Sequence, residues 1–175
     1  MLDTLITNKT RLKLLLRFFL NPEATSYLRG LEEEFGESTN AIRIELNRFE
    51  TAGLLVSWDE KNKKLFRANQ KHPLFGDIQS ILRKHIGIDM LINKVINNLG
   101  DIESAYLNGF LARGLDCPII DLIIFGNPID QDYLKLLTTK AAILIKRNIN
   151  CTTFATETEK DFLQNNRGAL LIWKK

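Results

Sequence analysis

Apolar and polar positions follow two different patterns along this chain. Thr10 to Leu20 carries Leu12, Leu15, Leu16, Phe19 and Leu20 at helical spacing, and Asn21-Pro22 ends the run. Thr25 or Ser26 is placed to cap a second helix, Tyr27 to Phe35, with Leu28, Leu31 and Phe35 on one face and Gly36 as its stop. Ser38 caps a third helix that reaches about Ala52; Ile42, Leu46 and Phe49 recur on it at i, i+4 and i+7, and Gly53 closes it. Leu54 to Trp58 and Leu65 to Ala68 read as two strands around a polar turn, Asp59 to Lys64, which together predict a hairpin. Pro73 opens a further helix to about His85.

Beyond that point short apolar runs dominate. Leu91 to Leu99 is helical and ends at Gly100, and Ile102 to Leu107 predicts a strand. Asn108 to Pro118 predicts a loop or a short turn of helix. Ile119 to Phe125 is nearly continuous in apolar residues, as in a strand covered on both faces, and Gly126-Asn127-Pro128 breaks it. Asp130 to Arg147 predicts a long helix with Tyr133, Leu134, Leu137, Ala141, Leu144 and Ile145 as its apolar side. Cys151 to Ala155 and Leu170 to Trp173 are candidate strands. The change of pattern falls within Ile86 to Met90, without a Pro- or Ser-rich linker. The expectation is an α+β protein of two domains, residues 1–88 with helices and a hairpin, and residues 89–175 with an α/β arrangement on a small mixed sheet.

Composition narrows the classes. With 45% hydrophobic and 26% charged residues in 175, a disordered chain and a collagen-like fibre are excluded. The net charge of +3 permits nucleic-acid binding without selecting it. Two cysteines, Cys117 and Cys151, suggest reduced thiols in a cytoplasmic protein. Leu12 to Leu20 is interrupted by Lys13 and Arg17 and lacks a small-residue cleavage site, so neither a membrane span nor a signal peptide is expected. His72 and His85 have no cysteine at zinc spacing, and the phosphate-loop and nucleophile-elbow motifs are missing; no metal and no cofactor are expected.

The third helix carries the most informative chemistry. If Ile42, Leu46 and Phe49 face a core, the opposite face holds Thr39, Asn40, Arg43, Ile44 and Asn47. Arginine can donate to guanine acceptors, asparagine can pair with adenine, and Ile44 can touch a thymine methyl. On the hairpin, Lys61, Asn62, Lys63, Lys64 and Arg67 can meet phosphates or enter a minor groove. Ser38 and Arg48, at the cap and near the end of the helix, complete the candidate DNA-binding set. From Ser38 to Lys71 there are seven basic and four acidic residues, an excess equal to that of the whole chain. Glu32-Glu33-Glu34 opposes this charge and reads as a solvated face.

Three helices followed by a hairpin is the order of a winged helix-turn-helix. The run from Ser38 to Leu55 resembles the recognition helix and wing entry of ArsR-type and MarR-type bacterial regulators, and the likeness covers roughly residues 8–85. It implies double-stranded DNA as partner and a homodimer on a two-fold site. The stripe of Leu74, Phe75, Ile78, Leu82 and Ile86 suits either a dimer seam or the core of its own domain.

The second half carries a different likeness. Ala105 to Gly114 followed by Ile119 to Gly126 resembles the nucleotidyltransferase superfamily of the DNA polymerase beta type, and more closely the minimal nucleotidyltransferases of prokaryotes. Those domains hold nucleotide phosphates on a Gly-Ser loop and a divalent metal on an Asp-x-Asp pair, whose carboxylates share one strand face. Aligned on Ala112-Arg113-Gly114 and Asp121-Leu122, this chain has Gly109 followed by Phe110 in place of the serine. Ile119 replaces the first carboxylate, and only Asp121 keeps its place. Gly109, Phe110, Arg113, Gly114, Ile119 and Asp121 therefore form a degenerate nucleotide site with no expected catalytic or metal-binding residue. The implied function is a sequence-specific transcriptional regulator whose second domain is an inactive scaffold, dimerisation or sensor module, with room for an unidentified small-molecule ligand. The alternatives are a nucleotidyltransferase acting on protein or nucleic acid, and a protein-interaction adaptor.

Overall fold

Helix caps and short strand pairings divide the chain into two compact units, Met1–His85 and Ile86–Lys175, in a computed structural model that describes residues 2–166 and 168–175. The fold is α+β, about 51% helix, with one three-stranded and one four-stranded sheet. The passage between units lies three residues before the 88/89 division read from the sequence. Helical periodicity continues across it, so the pattern gives no sharper mark.

The first unit begins with α1 (Leu2–Leu5) and α2 (Lys9–Leu15), the latter capped by Asn8, whose side chain accepts from the Arg11 amide at 3.0 Å. The regular helix expected over 10–20 widens into a π-helical turn at Leu16–Leu20. The wider turn brings Leu16, Phe18, Phe19 and Leu20 together into the core. Thr25 and Ser26 do not cap the next helix; Ser26–Tyr27 forms a short strand, β1, and α3 (Leu28–Phe35) follows without a side-chain cap. Ser38 does cap α4 (Thr39–Thr51), accepting from the Ala41 amide at 3.3 Å. Gly53 adopts φ +73°, a left-handed bend in which the Leu54 amide reaches the Phe49 carbonyl at 2.9 Å. The chain is thereby turned into β2 (Leu55–Glu60) and β3 (Lys63–Ala68).

The hairpin turn is tighter than its polar sequence suggests. Lys61 and Asn62 alone make it, both at positive φ, as two-residue hairpins require. Asp59 and Glu60 instead lie in the ladder opposite Lys64 and Lys63, and these opposite charges favour the register. The sheet runs β1-β3-β2, all antiparallel. Of the apolar stripe on α5 (Phe75–Ile86), Leu82 is buried and Phe75 stacks on Phe19 with ring centroids 5.6 Å apart, so much of it serves its own core.

A buried carboxylate orients α4. Glu45 accepts from Arg11 Nε at 2.7 Å, from Arg48 Nη1 at 2.6 Å and from Asn8 Nδ2 at 3.2 Å. A carboxylate out of water is tolerated only with such partners.

The second unit opens with α6 (Ile88–Lys94) and a 3₁₀ turn, Ile96–Asn98, where one longer helix was expected. Next come β4 (Ile102–Asn108), α7 (Gly109–Ala112), β5 (Ile119–Gly126), α8 (Gln131–Ile145) and β6 (Asn148–Phe154). A 3₁₀ turn leads into α9 (Glu159–Asn165), and β7 (Leu170–Lys174) ends the unit. The mixed sheet runs β6-β5-β4-β7, with β4 antiparallel to both neighbours and β5 parallel to β6. One face carries Ala105, Leu107, Leu122 and Ile124; on the other, Tyr106, Ile123 and Phe125 pack under Phe162 and Leu163 of α9. Glu159 ties α9 down, accepting from Ser104 Oγ and Tyr106 Oη at 2.6 Å each. Burial and this bond raise the Tyr106 phenol to about 12.

Two expectations change here. On α8 the buried residues are Leu134, Thr138 and Ala141, whereas Tyr133 and Leu144 are exposed. β5 is not covered along its whole length, since Ile119 is 39% exposed. Among the described residues no helix is long and apolar enough to cross a membrane.

The Arg11 bond holds the Glu45 carboxyl below the usual carboxylate range, aided by Arg48 and opposed by burial. A lowered folded-state pKa contributes stability above the unfolded value that is lost as pH falls through the folded one. Glu45→Gln is therefore expected to cost about 1–3 kcal/mol at pH 7 in denaturant unfolding. It should also flatten the decline in stability below about pH 4.5. Equal unfolding curves at pH 7 would remove Glu45 as the anchor of α4.

Candidate functional site

The anchored inner face of α4 turns Asn40, Arg43, Ile44 and Asn47 outward, with Thr39 half-buried. The tip of the β2–β3 hairpin lies beside this face. A groove of about 600 Å³ separates them, lined by Arg43 and Asn47 of α4 and by Lys61, Asn62, Lys63 and Lys64. Arg29, at the start of α3, adds a further cation, and Tyr27, Leu28, Leu46 and Phe66 supply the apolar lining.

Local contacts set the hairpin. Tyr27 pairs with Leu65 across β1 and β3, and the Lys63 ammonium lies 4.1 Å from the Tyr27 ring centroid, a cation–π contact. Lys64 Nζ reaches Glu50 Oε2 at 2.8 Å, and Glu50 also accepts from Ser57 Oγ. These bonds, Lys64 foremost, keep the Glu50 carboxyl below its ordinary range. Arg43 Nη2 donates to Asn40 Oδ1 at 2.8 Å, an exposed bond open to exchange with another acceptor. Among the described residues Arg29, Arg43, Lys61 and Lys63 make no ion pair, so these four cations of the groove have no carboxylate within ion-pair distance.

Not every candidate residue converges there. Ser38 is occupied as the α4 cap; Thr39, Asn40 and Ile44 lie along α4 without lining the groove. Arg48 is turned to Glu45, and Arg67 lies 3.7 Å from Glu23 and 5.8 Å from the Trp58 ring. Five groove residues lie outside the candidate set: Leu28, Leu46 and Phe66, which the sequence places at apolar positions, and Tyr27 and Arg29. The place of these last two depends on the β1–β3 pairing, and nothing local announces a two-residue strand. Glu34 of the acidic run bonds Arg17 at 3.2 Å.

The second candidate site is built where β4, α7 and β5 meet. Asp121 lies opposite Asn108 on β4 and opposite Asn150 on β6. Its Oδ1 accepts from the Asn150 side chain at 3.1 Å. Gly109 sits at φ +67°, and a Cβ there would fall 2.6 Å from Asp121 Oδ2. Only glycine meets both constraints. Phe110 is 54% exposed with the Arg113 guanidinium 4.9 Å from its ring, so the two cover each other. Arg113 Nε also points to the Gly109 carbonyl at 3.4 Å, and Gly114 is buried at φ +79°. Ile119 shares the strand face of Asp121, where it offers no oxygen. Asp116 is paired with Arg147 at 2.6 Å. Among the described residues no group of three His, Cys, Asp or Glu could hold a metal ion.

No protein-family model matches the chain, and no curated protein matches it. The chemistry of these residues is therefore the basis for any assignment.

Gly109→Ala should cost about 1–3 kcal/mol, from left-handed strain plus the clash with Asp121. In an Asp121→Ala background the same substitution should cost at least about 0.5 kcal/mol less, because the clash is gone. Equal costs in the two backgrounds, measured by denaturant unfolding, would show that the close approach is not a constraint.

Proposed function

We propose that this protein is a sequence-specific DNA-binding transcriptional regulator, with residues 1–85 acting as a winged helix-turn-helix. α4 is the reading helix, and the β2–β3 hairpin is the wing. The observation that carries this reading is the single groove in which Arg43 and Asn47 face Lys61, Lys63 and Lys64. Arg43 and Asn47 have the donor geometry that reads guanine and adenine edges in a major groove. The lysines and Arg29 neutralise phosphates, which supplies most of the sequence-independent affinity. The protein acts in the cytoplasm as a homodimer, since one helix in one groove seldom gives enough affinity.

The second unit is a nucleotidyltransferase-like domain that has lost transfer. Phe110 crowds the position of the phosphate-binding serine, Ile119 removes one carboxylate, and Asp121 is bonded to Asn150. One carboxylate cannot hold two metals in the arrangement that phosphoryl transfer uses. The domain serves as a scaffold and dimerisation module.

The test is to select bound fragments from a genomic library and then compare variants on the selected duplex. Arg43→Ala should weaken specific binding by about 1–3 kcal/mol and relax preference at one position per half-site. Lys63→Ala with Lys64→Ala should weaken all duplexes alike and reduce the salt slope by about one to two units. Retention of full affinity and slope by both variants would exclude the groove as the DNA interface.

A further inference from the structure

Among the described residues, the outer edge of β6 is the least protected strand edge. β6 pairs with β5 along all seven residues, Ile119↔Asn148 to Phe125↔Phe154, without a bulge. It is the terminal strand of its sheet, and among the described residues no backbone hydrogen bond leaves its outer side. Asn148-Ile149-Asn150-Cys151-Thr152-Thr153-Phe154 contains no charge and no proline. Folded proteins normally blunt such edges with lysine, proline, bulges or brevity. The other edges here follow that rule: β7 carries Lys174 and a register shift, β2 carries Asp59 and Glu60, and β1 has two residues. A flat, uncharged edge of seven residues suits a strand partner.

Its flanks specify which strand. Exposed Lys146 lies just before β6 and exposed Glu157 just after it, and neither makes an ion pair among the described residues. Two copies of this strand running parallel would set Lys146 beside Lys146 and Glu157 beside Glu157. Running antiparallel about Cys151, they bring position 146 of one copy level with position 156 of the other, one residue from Glu157 in its 3₁₀ turn, so each end of the pairing gathers unlike charges. The same register puts Asn150 opposite Thr152, an amide facing a hydroxyl, and leaves no charge opposite a charge of its own sign.

We infer that β6 is the homodimer interface: two chains join edge to edge through antiparallel β6 strands around a two-fold axis at Cys151, making one eight-stranded sheet. The inference deepens the homodimer proposed above. It is measured without DNA, so a chain that dimerises through β6 yet ignores DNA refutes the regulator alone.

Sedimentation of the full chain across about 1–200 µM, with circular dichroism as the folding control, gives the dissociation constant. Thr152→Lys places a new charge on the exposed face near the axis and should raise that constant at least about tenfold while the chain stays folded. Lys146→Glu and Glu157→Lys should each raise it about three- to tenfold, and the double charge swap should return it to within about twofold of wild type. These flank variants decide the matter if Thr152→Lys fails to fold. A wild-type monomer throughout the range overturns the inference. So does a dimer indifferent to a folded Thr152→Lys, or one in which the charge swap gives no loss and rescue.

Discussion

The carboxylate of Glu45 determines how α4 is presented, and the candidate interface depends on that pose. Taking a charge out of water is costly, so Glu45 is stable only while Arg11, Arg48 and Asn8 donate to it. Asn8 and Arg11 bind the start of α2 to the middle of α4, and Arg48 adds a bond from within α4. With one side of α4 held by Ile42, Leu46 and Phe49 in the core, the helix has no freedom to roll. Arg43 and Asn47 must then face the hairpin. A pre-set groove of this kind lowers the ordering cost of binding, because few side chains have to be fixed on contact.

The hairpin is positioned by a separate device. β1 contributes two residues, yet it places the Tyr27 ring under Lys63 and sets the sheet edge against which β3 lies. Lys61 and Asn62 make the shortest turn that twisted antiparallel strands accept, so the cations stand close to α4. The result is a cleft lined by cations at its rim and by Tyr27, Leu28, Leu46 and Phe66 within.

Much of the first unit was legible because its signals are local. The Ser38 cap, the i, i+4, i+7 spacing of Ile42, Leu46 and Phe49, and Gly53 each act within one or two turns, and they placed α4 within a residue. Several misses turn on packing that local spacing does not reveal, even where the partner is one turn away on the same helix, as Glu45 is from Arg48. Arg48 and Arg67 look like free cations until Glu45, buried by α2, and Glu23 are brought beside them. Asp121 meets Asn150 from 29 positions away, across a parallel pairing that no local pattern encodes. The π-turn at Leu16–Leu20 and the exposed side of α8 were missed for a related reason: periodicity marks which residues are apolar, whereas packing decides which of them are covered. The unguarded edge of β6 is the converse case. Its lack of charge is plain in the sequence, but it acquires meaning only once the sheet order makes it an edge.

The function proposed for the first unit rests on contact between the α4–hairpin groove and DNA. Backbone amide shifts of the labelled full chain, followed by NMR as a selected duplex is added, test it most directly. The expected result is perturbation concentrated at Arg29, Arg43, Asn47 and Lys61 to Lys64, with Asp121 and Asn150 unmoved. Shifts confined to the second unit, with the groove silent at saturating duplex, would contradict it.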